Sequence, residues 1–256
     1  MRILLLADIH ANWPALKAVV ESETFDTCLV LGDLVDYGLE PAPCIDWVRQ
    51  HATHSIRGNH DHCVAQAVKV QGKTGFKYLS GVTRSLTQER LSSEDRRYLG
   101  TLPITRRLAI ENTRFLLVHA TPRDPLDEYA INDADFWERR LHDVDSQVLC
   151  VGHTHHPYVL EVGEKLVINP GSVGQPRDND PRASYAVIAP DDRGQARVEL
   201  KRIEYPVEET VKTVLESNLP EPAKALLAEV FRTGGLAKPD SSKLRSESPS
   251  GSLSEA

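Results

Sequence analysis

The chain of 256 residues is longer than one average domain and shorter than two, so a single large domain and a domain with an appendage are both open. Hydrophobic residues at 40% and charged residues at 26% exclude a disordered, collagenous or repetitive protein. Thirty basic against 37 acidic residues give a formal net charge of -7, which leaves no basic stripe for long nucleic acid or an anionic membrane.

Met1-Arg2-Ile3-Leu4-Leu5-Leu6-Ala7 resembles the start of a signal peptide, but Asp8 and His10 end the apolar run and no cleavage site follows. It is instead the first of five short apolar runs of strand length: Ile3 to Ala7, Cys28 to Leu31, His54 to Ile56, Phe115 to Val118 and Val148 to Val151. Helical patterns lie between the first three, from Pro14 (after Asn12 or Trp13) to Glu21 and from about Ala42 to His51. That alternation predicts a right-handed parallel sheet.

Gly75 to Leu102 is helical and amphipathic, interrupted near Leu91, where Ser92-Ser93-Glu94-Asp95 supplies an N-cap and an acidic first turn; Pro103 stops it. Arg106 to Ile110 and Thr113 to Val118, parted by Glu111-Asn112, predict a hairpin, and Asp135 to His142 predicts a short helix. Tyr158 to Val162, Lys165 to Ile168, Tyr185 to Ile188 and Ala196 to Ile203 are β-like with short connections and predict a second, mostly antiparallel sheet. The expected fold class is α/β, two facing mixed sheets flanked by helices. Val207 to Ser217 and Glu221 to Arg232 add two helices, parted by Leu219-Pro220. From Thr233 onward Gly, Ser, Pro and charge dominate, so a domain over residues 1–232 and a disordered tail over 233–256 are expected. No window approaches the roughly 18 apolar residues of a membrane span. Cys28, Cys44, Cys63 and Cys150 lack C-x-x-C spacing, which points to a reducing cytoplasm, and the missing apolar window leaves no membrane partner expected.

Two of the five runs end directly in Asp8 or His119, two reach Asp33 or His153 after a single glycine, and the third ends just short of Asn-His-Asp. The clusters are Asp8-Ile9-His10, Gly32-Asp33-Leu34-Val35-Asp36, Gly58-Asn59-His60-Asp61, His119 and Gly152-His153-Thr154-His155. Carboxyl ends of neighbouring strands in an open α/β sheet converge on one crevice, so these residues are expected to meet. Carboxylates, imidazoles and one amide, without thiolates, suit Mn, Fe, Zn, Ni or Co better than an oxygen-only cage for Mg or Ca. A catalytic ion takes about three protein ligands, so this many candidates predict two divalent metal ions. Two such ions about 3.5 to 4 Å apart, joined by a carboxylate and a bridging hydroxide, are arranged for in-line attack on phosphorus.

The motifs Asp8-x-His10, Gly32-Asp33-x-x-Asp36, Gly58-Asn59-His60-Asp61, His119 and Gly152-His153-x-His155 resemble the signature of the calcineurin-like metallophosphoesterases, over roughly Met1 to Ile188. Asn169-Pro170-Gly171-Ser172-Val173-Gly174-Gln175-Pro176-Arg177, followed by Asp180-Pro181-Arg182-Ala183-Ser184-Tyr185, resembles a small single-domain branch in bacteria and archaea. The resemblance implies an αββα sandwich and hydrolysis of a phosphomonoester or phosphodiester by a metal-bridging hydroxide. It implies that Asp8, His10 and His155 hold one ion, that Asn59, His119 and His153 hold the other, and that Asp33 bridges. It leaves His60 free to protonate the leaving oxygen or to bind a phosphate oxygen, with Asp36 orienting it.

Arg177 is the candidate phosphate clamp, ahead of Arg57. Asp61 either supports the site or caps the following helix, and Gly171 and Gly174 are turn formers. In the protein Ser/Thr phosphatases of the superfamily Arg-Gly follows Gly-Asp-x-x-Asp; here Tyr37-Gly38 follows, which argues against phosphoprotein substrates. Two rivals stand beside the enzyme. One is a catalytically silent scaffold like the phosphoesterase-like subunit of the retromer coat, which lacks the free His that this chain keeps as His60. The other is a nuclease, opposed by the acidic balance and the lack of basic-aromatic tracts. The expected partner is a small phosphate ester, with oligomeric state left open.

Overall fold

The first apolar run becomes β1 (Ile3–Leu6), and its alternation sets the layer order of the fold. In the computed structural model, which describes residues 1–70, 72–190 and 196–236, Ile3 and Leu5 face the second sheet while Leu4 and Leu6 face helices. The chain continues through α1 (Trp13–Ser22), β2 (Thr27–Val30), α2 (Pro41–His51), β3 (His54–Ser55), α3 (Asn59–Ala65), α4 (Gly75–Arg90) and α5 (Ser93–Thr101). Then come β4 (Thr105–Ile110), β5 (Thr113–Val118), α6 (Ala134–Leu141), β6 (Val148–Cys150), β7 (Tyr158–Val162) and β8 (Lys165–Asn169). β9 (Ala183–Pro190), β10 (Ala196–Ile203), α7 (Val207–Leu215) and α8 (Glu221–Thr233) follow among the described residues.

One sheet has the order β10-β9-β1-β2-β3 and the other β4-β5-β6-β8-β7. In the first, β1, β2 and β3 are parallel; in the second, β5, β6 and β8 are. This is the expected pair of mixed sheets flanked by helices, with one correction. The four late β-like segments do not make the second sheet among themselves: β7 and β8 do join it, but β9 and β10 cross to the first, with Ile3 opposite Ile188. The reason lies in β9, which is apolar on both faces. Tyr185 and Val187 pack toward the helices and Ala186 and Ile188 toward the second sheet, a demand met only by an inner strand.

Local chemistry fixes the helix ends. Asn12 caps α1 by accepting the Ala15 N–H at 3.3 Å, and Ser92 with Asp95 forms a capping box on α5. Gly234 ends α8 in left-handed conformation, and Leu236 packs onto the cluster that holds Phe231. The rest of the expected tail, residues 237–256, lies outside the described residues. No helix among the described residues is long and apolar enough to cross a membrane, and all four cysteines are free.

Candidate metal centre

The strand ends of both sheets meet at one edge of the sandwich, and there the backbone leaves ordinary geometry. Asp8, His10, Asp33, Asp36, His153 and His155 all adopt positive φ, between 47° and 67°. Each such non-glycine residue costs on the order of 1 kcal/mol or more and persists only where its surroundings over-determine it. The surroundings here are other turns: Asp8 N–H donates to Gly32 O at 3.1 Å, His10 N–H to Asp33 O at 2.9 Å and Gly174 N–H to Asp8 O at 3.0 Å. Contact is so close that a Cβ on Gly58 would lie 2.1 Å from Asp33 Oδ1 and one on Gly174 would lie 1.8 Å from Ile9 O. The Asn169 to Gly174 stretch is a brace. Ser172 Oγ donates to Asp8 O at 2.7 Å and Asn169 Nδ2 to Gly152 O at 2.9 Å.

Two groups of metal-ligand type result, Asp8 with His10 and His155, and Asp33 with His119 and His153; the ligand atoms of each lie within 4.8 Å of one another. Asn59 joins the second group, its Oδ1 3.1 Å from His119 Nε2. Each group draws residues from both sheets, since Asp8, His10, Asp33 and Asn59 follow strands of the first and His119, His153 and His155 follow strands of the second. His10, His119 and His155 donate Nδ1–H to the carbonyls of Val35, Leu31 and Gln175, which turns each Nε2 inward toward the groups. Asp33 Oδ2 lies 3.8 Å from His10 Nε2 and 3.2 Å from His119 Nε2, between the groups.

The donor set fits a cation. His10 and His155 point their Nε2 atoms at each other across 3.1 Å, and the nearby Asp8 Oδ1 is buried without a hydrogen-bond partner. A positive ion among these atoms relieves both the lone-pair repulsion and the orphaned oxygen. Burial lowers the pKa of His10 and of His155, and takes His153 down to about 4 with help from the His119 charge, so these rings are neutral and able to ligate. Burial also disfavours charged His119, but the charge and hydrogen bond of Asp33 win and raise it to about 10, a sign that this spot favours positive charge.

His60 stands beside the groups without joining either. Its Nε2 lies 3.9 Å from Asp33 Oδ2, and its Nδ1 donates to Asp36 Oδ2 at 2.6 Å, the pairing expected from the sequence. Asp61 has both of its expected roles. It occupies the third position of the α3 capping box, and its carboxylate accepts the N–H groups of Asp33 at 2.7 Å and Leu34 at 2.8 Å. Arg84, which the sequence reading missed, donates Nε to Asp36 Oδ2 at 2.8 Å and to Oδ1 at 3.1 Å, from 48 residues away.

A cleft of about 910 Å³ opens over the centre, lined among others by Asn59, His60, Lys69, Lys77, Tyr129, His153 and Arg177. Arg177 places its Cζ 4.1 Å from the Phe76 ring centroid and donates Nη2 to Gln175 Oε1 at 3.0 Å and to the Tyr37 hydroxyl at 3.3 Å. Arg57 turns away, donating to Gly100 O at 3.3 Å, and is absent from the cleft lining.

Ten strands in two facing sheets among the described residues, with an Asp, His and Asn constellation at their shared edge, define a class of protein. The family pattern described as the calcineurin-like phosphoesterase superfamily domain matches residues 1–193, and the chain belongs to that superfamily. A metallophosphoesterase from Sphaerobacter thermophilus has the same fold with a TM-score of 0.74 and 33% identity, covering 91% of this chain and 99% of that one. An uncharacterized protein of Methanocaldococcus jannaschii is 29% identical over 246 residues, 86% of this chain and 94% of that protein. Phosphodiesterase YfcE of Escherichia coli is 26% identical over 204 residues, 73% of this chain and 87% of that enzyme.

Proposed function

We propose that this chain hydrolyses a small phosphate ester, mono- or diester, at a pair of divalent ions, with Mn, Fe, Zn, Ni and Co as the candidates. Asp8, His10 and His155 would hold one ion and Asn59, His119 and His153 the other, bridged by Asp33. The observation that carries the reading is the position of Asp33 Oδ2, within 3.8 Å of a histidine nitrogen in each group and 3.9 Å from the free ring of His60. Bound ions would supply Lewis-acid polarisation of the phosphoryl oxygens and a water nucleophilic at neutral pH.

The chain itself contributes positioning and a proton. As water adds to phosphorus, giving up one proton to solvent, and the ester P–O bond breaks, the electron pair goes to the leaving oxygen, and His60 Nε2–H gives that oxygen its proton. Asp36 holds the ring from its far side. Arg177, kept in place by Phe76 and Gln175, binds a non-bridging phosphate oxygen as a charged donor. The name of the Escherichia coli relative makes diesters the first substrates to try.

The test is chelation, reloading with each metal in turn, and a panel of alkyl and aryl mono- and diesters, nucleotides and cyclic nucleotides. Two ions per chain and turnover of at least one ester are expected; one ion at saturation overturns the dinuclear assignment. His60→Ala should keep both ions and lose about 100-fold to 10,000-fold on an alkyl ester, yet slow little on p-nitrophenyl phosphate, whose leaving group departs without a proton. Equal slowing on both esters removes His60 as the proton donor.

A further inference from the structure

α4 packs an apolar stripe of Phe76, Leu79, Val82 and Leu86 onto the cluster that holds Phe231, and beside that stripe it buries a polar strip of Ser80, Thr83, Arg84 and Thr87. Buried polar side chains need partners, and two of these find theirs in the turn at Asp36 and Tyr37, where both residues have positive φ. Thr83 Oγ1 accepts the Tyr37 N–H at 3.0 Å. Arg84, 4% exposed, closes its guanidinium over the fully buried Asp36 carboxylate through Nε and Nη2, and Nη2 also donates to Ser80 Oγ at 3.4 Å.

We propose that Arg84 is a positioning residue for proton transfer by His60, acting through Asp36; this rests on the hydrolytic reading above. The carboxylate has two oxygens and two partners. With Arg84 on both oxygens it cannot turn, so Oδ2 stays 2.6 Å from His60 Nδ1 and the opposite ring nitrogen stays aimed at the reacting space. Arg84 Nη1 further donates to Val68 O at 3.3 Å, and Val68 lines the cleft, so one guanidinium ties the cleft wall to the Asp36 and His60 pair. Without the fork, Asp36 gains rotational freedom and the imidazole is no longer held in one orientation.

The experiment compares Arg84→Met and Arg84→Lys with wild type in the full metal-loaded chain. Both variants should bind as many ions as wild type. Turnover of an alkyl ester by Arg84→Met should fall about 10-fold to 100-fold, the loss typical of residues that orient a functional group, while p-nitrophenyl phosphate slows little. Arg84→Lys, which keeps the charge and one donor, should recover part of the loss. In the zinc-loaded protein the downfield proton resonance of His60 Nδ1–H should weaken or vanish in Arg84→Met. The double variant Arg84→Met/Asp36→Asn should be no slower than Asp36→Asn, since the two residues act as one unit. Equal losses on both esters, an unchanged resonance, or additive losses in the double variant overturn the proposal. If Arg84→Met does not fold, Arg84→Lys decides: a leaving-group-dependent loss supports the role and wild-type behaviour overturns it. A wild type inactive on every ester with every metal overturns the hydrolytic reading and this inference together, whereas an active wild type with uniform losses overturns Arg84's role alone.

Discussion

Leu5 and Asp8 are close neighbours in the chain, yet one belongs to the packing between the sheets and the other to the crevice at their edge. Between the sheets, Ile3, Leu5, Leu29, Phe115, Leu117 and Ile168 interlock from regular strands, each burying apolar surface worth about 1.5 to 3 kcal/mol. At the edge the backbone is left-handed at six Asp and His positions, and carboxylates and imidazoles are buried against their desolvation cost. The interior stabilises the fold and the edge draws on that stability. Substitutions in the two regions should therefore separate by what they change.

The largest effect is expected from Asp33→Asn, which removes the charge standing between the two groups. Metal content should drop below two ions per chain and turnover should fall by more than the roughly 100-fold loss typical of a supporting residue. Two retained ions with near-normal turnover would break the comparison at its centre. Leu5→Ala should do the opposite. It is expected to lower stability by about 2 to 5 kcal/mol, seen as a fall in Tm, while the folded protein keeps its metal stoichiometry. A loss of metal without a loss of Tm would join the two regions.

Asp8→Asn sharpens the contrast further. Burial, ahead of the neighbouring Asp33 charge, raises the Asp8 pKa, so its charged form opposes folding when no ion is bound. In chelator the variant should be more stable than wild type by about 1 kcal/mol, and less active when reloaded. A lower Tm in chelator would refute a stability cost at the edge. The smallest effect belongs to a surface pair outside both regions. Asp180 is held at about pKa 2, mainly by its hydrogen bond from Arg182, so its contribution is full above pH 4 and disappears as the pH falls toward 2. Asp180→Asn should cost no more than about 1 kcal/mol at pH 7 and nothing near pH 2, measured by denaturant unfolding.

The motif residues were legible because each sits at the end of an apolar run, where the strand period stops and a polar cluster begins. Parallel strands then bring those ends together, which is why the expected ligands do meet. Sheet membership of β9 and β10 was not legible, since a hairpin of alternating residues suits either sheet and only the two-sided apolarity of Tyr185 to Ile188 distinguishes them. Arg84 escaped because a polar inward helix face looks, in sequence, like a solvent-facing one. Its partner is remote in the chain, and no local period encodes it. Asp61 left two roles open because one carboxylate fills both, capping its own helix and gripping the turn at Asp33.

The drawing of each ligand group from both sheets has a mechanical consequence. An ion seated in either group would be a rivet between layers, whereas most of the remaining sheet interface is apolar contact, which resists separation but offers little directional resistance to sliding. Two rivets at one edge would fix both the spacing and the shear of the layers there and leave the opposite edge mainly to packing. The sandwich would then be hinged like a book bound along the edge that carries Asp8 and Asp33, and a small relative shear of the sheets would change the geometry of both groups together.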